Sequence, residues 1–107
     1  EPTDGEGQTN ACFFGLSVEA AEPALQDANG RTLALAKDKG FAWVDLRGHF
    51  LGHGFNHERE TIDAYDADDP TLWLQDDCIH PNARGHHELR RLFLSALDNE
   101  PLPLWIP

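Results

Sequence analysis

Two side chains three positions apart, Asp77 and His80, sit in the stretch Asp77-Cys78-Ile79-His80-Pro81-Asn82, followed by Gly85 and His86. A histidine that moves protons in acyl transfer must be held in one tautomer and one orientation. A carboxylate bonded to one ring nitrogen does both, and it stabilises the imidazolium that forms. An offset of three on a tight loop lets Asp77 fold back onto His80, with Asp76 as the alternative partner if the turn winds differently. Pro81 disfavours helix at His80 and stiffens the loop. Asn82 is a suitable cap for a helix behind it. The second ring nitrogen is then left to face a nucleophile.

The elements that must hold this loop are legible around it. After Asn82, Leu89, Leu92, Phe93, Ala96 and Leu97 recur at the spacing of an amphipathic helix, the clearest such pattern in the chain. Before the loop, Thr71–Gln75 is short and apolar around Trp73 and Leu74. Earlier, Pro23 suits a first helical turn. Leu25, Ala28, Thr32, Leu35 and Ala36 make a stripe, and Gly40 supplies a stop after Lys37 and Lys39. Gly30 is a point at which that helix would be interrupted. Phe41 to Leu46, nearly all apolar, then reads as a buried strand of a parallel sheet. Helix, glycine and buried strand form the return half of an α/β unit. Residues 47–70 read as a long loop with one helical turn, residues 1–10 as a loop, 11–16 as a strand or buried turn, and 101–107 as an extended tail.

This arrangement resembles the C-terminal part of the SGNH/GDSL serine esterase and lipase family. That family's last block is Asp-x-x-His running into Pro-Asn and a Gly that opens the final helix, as Asp77, His80, Pro81, Asn82 and Gly85 do here. A helix followed by a strand ending in Val-Asp-Leu, here Val44-Asp45-Leu46, also matches. The likeness covers residues 22–97 in order of elements and is specific over 77–86. It implies an α/β fold, the C-terminal part of a three-layer α/β/α, flavodoxin-like domain with a parallel sheet. It also implies ester hydrolysis, with His80 as general base, Asp77 as its partner, and no cofactor.

The family's Gly-Asp-Ser block, its oxyanion glycine and its Gly-x-Asn-Asp block are not found in these 107 residues. Only Ser17 and Ser95 are present. Ser95 falls within the last helix pattern, and too few elements separate Ser17 from His80 to build the family's sheet. The expectation is therefore a single partial domain, with the serine on a missing or separate N-terminal portion. Such a chain alone would be inactive, acting on a small-molecule ester only with its complement, and otherwise prone to self-association through open strand edges.

Other chemistry is less well supported. His49, His53 and His57 recur every four residues, and Cys78, His80, His86 and His87 form a second group, but neither fits a zinc template. The Asp63–Asp69 run lacks the alternating ligands of a calcium loop. Two cysteines, Cys12 and Cys78, allow one bridge or two thiols. With 19 acidic residues against 8 basic ones and a net charge of −11, no basic footprint for nucleic acid is visible. Arg84, Arg90 and Arg91 read as a solvated helix face with ordinary ion pairs. No apolar run approaches the roughly 20 residues of a membrane span, and the first residues do not read as a signal peptide. Phe50, Phe55 and Trp73 are candidates to line an acyl pocket or to pack in the core.

Overall fold

The computed structural model describes residues 18–77 and 79–98. The expectations for Cys12, Ser17, Cys78, the first 16 residues and the 101–107 tail lie outside them. Among the described residues there are three helices: α1, Val18–Lys39; α2, Leu46–Phe50; and α3, Ala83–Asp98.

Helix α1 begins five residues before Pro23, which sits inside it. It runs through Gly30 without interruption. Its end follows from Gly40, whose φ of +71° is accessible to a residue without Cβ. Phe41 N–H bonds to the carbonyl of Ala36 at 2.9 Å and Gly40 N–H to that of Lys37 at 3.3 Å. This pair of reversed bonds satisfies carbonyls that the last turn would otherwise leave open. The inward face is Leu25, Asn29, Leu33 and Ala36, whereas Ala28, Thr32 and Leu35 of the expected stripe are exposed.

The strand expected at Phe41–Leu46 is not formed, and no sheet exists among the described residues, so the parallel-sheet α/β/α expectation is corrected to a helical one. Two causes are visible. Residues 41–45 form no regular element and pair with no strand among the described residues, and Phe41 is 71% exposed rather than buried. Asp45 then caps α2: its carboxylate accepts the Gly48 N–H at 2.9 Å, and the His49 N–H bonds to its carbonyl. The Val-Asp-Leu triplet therefore leads into a helix that starts at Leu46.

The core lies between α2, α3 and the segment before the loop. Phe50, Trp73 and Leu74 are buried there, with Leu72 and Leu89 packed on them. Phe50 and Trp73 meet edge to face at 5.2 Å, and His53 stacks flat on the other ring at 3.5 Å. Gly52, with φ +90°, lets the following loop return, since a Cβ there would lie 2.0 Å from the Ala64 carbonyl oxygen. Arg47 of α2 and Glu22 of α1 form an ion pair that ties the first helix to the rest.

Helix α3 reaches this core through its first turns. Gly85 and Glu88 are buried, whereas Phe93, Leu94 and Leu97 are exposed. A Cβ on Gly85 would come within 2.1 Å of the Trp73 carbonyl oxygen and 2.9 Å of the Pro81 Cβ. Gly85→Ala is therefore expected to destabilise the chain by about 1–3 kcal/mol. Gly30→Ala, with nothing within 4 Å of the new methyl, is expected to stabilise it by about 0.5–1 kcal/mol. Urea unfolding of the two variants should move the midpoint in opposite directions.

Candidate functional site: the Asp77–His80 loop

The loop from Gln75 to Asn82 is closed on itself by backbone bonds. Leu74 and Pro81 form an isolated antiparallel bridge. Gln75 N–H donates to the His80 carbonyl at 2.8 Å, and Asn82 N–H donates to the Trp73 carbonyl at 2.9 Å. The Gln75 side chain adds a bond to the Pro81 carbonyl at 3.0 Å. Asn82 is the clamp at the base. Its amide NH2 donates to the carbonyls of Leu72 and Leu74, at 2.7 and 3.2 Å, and its Oδ1 accepts the Gly85 N–H at 2.9 Å. One side chain thus caps α3 and holds both sides of the loop together.

Asp77 and His80 meet as the sequence suggests. Oδ1 of Asp77 accepts the backbone N–H groups of Ile79 and His80, both at 3.0 Å. These bonds wind the turn that carries the histidine back. Oδ2 accepts the Nδ1–H of His80 at 2.5 Å. Among the described residues the partner is Asp77 and not Asp76.

The electrostatics fix the tautomer. The bond from His80 and then the two backbone N–H groups hold the Asp77 carboxyl at about 2, below the usual aspartate range. An ionised carboxylate only accepts, so Nδ1 carries the proton and the lone pair of neutral His80 is on Nε2. His80 is 70% exposed and Asp77 44%, so the ring stands at the surface with Nε2 free of any hydrogen bond among the described residues. Asp77 lines a groove of about 460 Å³ with Leu72, Leu74, Gln75, Asp76 and Asn82; His80 is not part of that lining.

Ser95 is not brought to this pair. It lies 13 residues along α3 from Asn82, or about 20 Å at 1.5 Å per residue.

A second polar cluster, missed in the sequence, supports the site from behind. Glu88 is fully buried. Its carboxylate accepts from Arg91 at 2.8 Å, from Arg84 at 3.0 Å and from the Nε2–H of His49 at 3.0 Å. Arg84 also pairs with Asp69 at 2.6 Å and lies 5.2 Å over the Trp73 ring. Burial alone would push the Glu88 carboxyl up. The bonds from Arg91, His49 and Arg84, with the charge of Arg91, outweigh it, so the pKa falls below the usual value. Arg84 and Arg91 are therefore inward anchors, not the solvated face expected of them, while Arg90 remains exposed. The i, i+4 and i+3 spacing of Arg84, Glu88 and Arg91 is a signal that could have been read.

The three histidines spaced by four do not converge. His49 goes to Glu88, His53 Nδ1–H to the Thr71 carbonyl at 3.0 Å, and His57 Nδ1–H to the Gly54 carbonyl at 3.1 Å. Burial pushes the His53 imidazole down, against the Thr71 bond and the charges of Asp69 and Asp66. No group of three His, Cys, Asp or Glu among the described residues could hold a metal ion. Phe50 and Trp73 are core residues, and Phe55 borders a groove. None of the described helices is long and apolar enough to cross a membrane. Comparison with protein-family models, with curated proteins and with solved structures finds no match.

The depressed Asp77 pKa has a definite pH signature. The ionised carboxylate is favoured in the folded chain, so its contribution is present above about 4 and is lost as pH falls toward 2. A carbon-detected NMR titration should give an Asp77 midpoint near 2, and His80→Ala should raise it toward the ordinary value of 3.8. An unmoved midpoint would show that the imidazole bond does not hold the carboxylate.

Proposed function

We propose that Asp77 and His80 are the acid–base half of a Ser-His-Asp triad for ester hydrolysis, of the kind found in SGNH/GDSL enzymes. The observation that carries this reading is the 2.5 Å bond from His80 Nδ1 to Asp77 in a loop closed on both sides, leaving an exposed Nε2 lone pair. The Asp-x-x-His-Pro-Asn-x-x-Gly pattern supports it, because each residue has a separate physical task. Asp77 winds the turn and orients the ring, Asn82 clamps the loop, and Gly85 lets α3 approach Trp73.

In this reading the serine comes from another segment or another chain, since Ser95 is too far along α3. His80 Nε2 takes the hydroxyl proton as the serine oxygen attacks the ester carbonyl. Asp77 stays ionised and stabilises the imidazolium. The imidazolium then gives its proton to the departing alcohol oxygen as the tetrahedral intermediate collapses to an acyl-serine. A water, deprotonated by the same Nε2, then attacks the acyl carbon, and the imidazolium returns its proton to the serine oxygen as the acyl–oxygen bond breaks and the acid leaves. Oxyanion donors would come with the serine-bearing portion. The partners of this reading are a small-molecule ester and a complementary N-terminal portion or chain.

The competing role for Asp77 is that of a loop-capping carboxylate only, which its Oδ1 bonds would serve without chemistry. A fluorophosphonate probe separates the two in a preparation that contains the serine-bearing portion. The unmodified protein should be labelled, His80→Ala should lose labelling, and Asp77→Asn should slow hydrolysis by roughly ten-thousand-fold. Labelling and turnover that survive His80→Ala would refute the proposal.

A further inference from the structure

His53 is a buried titratable side chain that the Asp77–His80 chemistry does not use, and it is held against the first limb of that loop. Only 4% of its surface is exposed. Its contacts with residues 71–73 are of three kinds. The ring lies flat on the Trp73 indole, with centroids 3.5 Å apart and planes 2° from parallel. Its Nδ1–H donates to the Thr71 carbonyl at 3.0 Å. Its own backbone carbonyl accepts the Trp73 N–H at 3.0 Å. The Trp73 carbonyl in turn accepts the Asn82 N–H at 2.9 Å, and Asn82 clamps the base of the loop. A single residue, Trp73, thus links His53 to the clamp.

With Nδ1 donating to a carbonyl, neutral His53 carries its lone pair on Nε2. That nitrogen faces Oδ2 of Asp66 at 3.7 Å, beyond hydrogen-bond reach. A proton arriving there creates a buried cation whose nearest carboxylate is out of bonding range. The charges around the ring divide. Asp69 and Asp66 favour the cation, and Arg84 of α3, 5.2 Å over the same indole, opposes it. His49 of α2 also borders that indole at 5.2 Å and is itself bonded to Glu88. Burial outweighs the two carboxylates and pushes the His53 imidazole down from its ordinary 6.5.

We propose that His53 is an acid-released latch: neutral, it holds residues 71–73 and through them the Asn82 clamp; protonated, it lets that limb go. A buried imidazole that resists its proton leaves the closed limb with fewer protons than the opened one below 6.5. Closure is therefore fully favoured above that value. It weakens as pH falls from there to the lower value of the closed state, below which the loss levels off. The device acts on Trp73 and Asn82 and does not need His80 to be a general base, so it stands or falls apart from the hydrolase reading.

Histidine-resolved NMR with amide exchange, corrected for the intrinsic rate, tests this on the 107-residue chain from about pH 8 to about pH 5. The His53 ring should titrate below 6.5. The Trp73 and Asn82 amides should lose protection about tenfold per pH unit below that value until His53 itself titrates. Asp66→Asn, which keeps an oxygen for the Asp68 and Asp69 N–H groups, should move the His53 midpoint further down. His53→Phe, which keeps a flat ring for Trp73 and has nothing to protonate, should leave both amides equally protected across the range, its fold being verified by the spectrum at neutral pH. His80→Ala should retain the response, which separates it from titration of the neighbouring imidazole. A His53 midpoint at or above 6.5, constant protection at Trp73 and Asn82, or a response that survives in His53→Phe would overturn the proposal.

Discussion

Asn82 joins three pieces of backbone, and the architecture around the site depends on that clamp. Its amide nitrogen holds the carbonyls on either side of Trp73, its carbonyl oxygen caps α3, and its backbone N–H bonds to Trp73 itself. With the two limbs of the loop pinned, the residues between them have little freedom left. Asp77 uses one oxygen to complete the turn and the other to hold the imidazole. The turn that carries His80 is thus held by bonds that do not involve its ring. That separation lets a surface-exposed pair be well oriented without being buried.

The support behind the loop is ionic as well as apolar. A buried carboxylate is costly unless its lone pairs are filled, and Glu88 has its lone pairs filled by two arginines and a histidine from α2 and α3. Through Arg84 the same network reaches Asp69 and the face of Trp73. Trp73 is therefore fixed on one ring face by His53 and approached by Arg84, while its carbonyl sits against Gly85. The base of the loop rests on this tryptophan.

Much of the site was legible in the sequence because its geometry is local. An offset of three, a proline after the histidine and a capping asparagine all act within a few residues, and the structure places them as their chemistry suggests. The end of α1 was legible for the same reason, since Gly40 reverses the chain through bonds to the preceding turn. What failed was non-local. Phe41–Leu46 has strand composition, but a strand exists only with a neighbour, and Asp45 instead capped a helix. Composition does not set the inward face of α1, because Leu33 and Leu35 are both apolar and only packing chooses between them; Leu35 is left exposed. For Arg84 and Arg91 the spacing pairs both with Glu88, but it does not reveal that this side of the helix is the covered one rather than a solvated face.

Asp77 fixes the tautomer of His80 and leaves the lone pair on Nε2. A long-range proton–nitrogen spectrum of the imidazole rings at neutral pH tests it most directly. The His80 ring should be protonated at Nδ1, with a downfield proton that disappears in Asp77→Asn. A His80 ring protonated at Nε2, or averaging between tautomers as a free imidazole does, would contradict it.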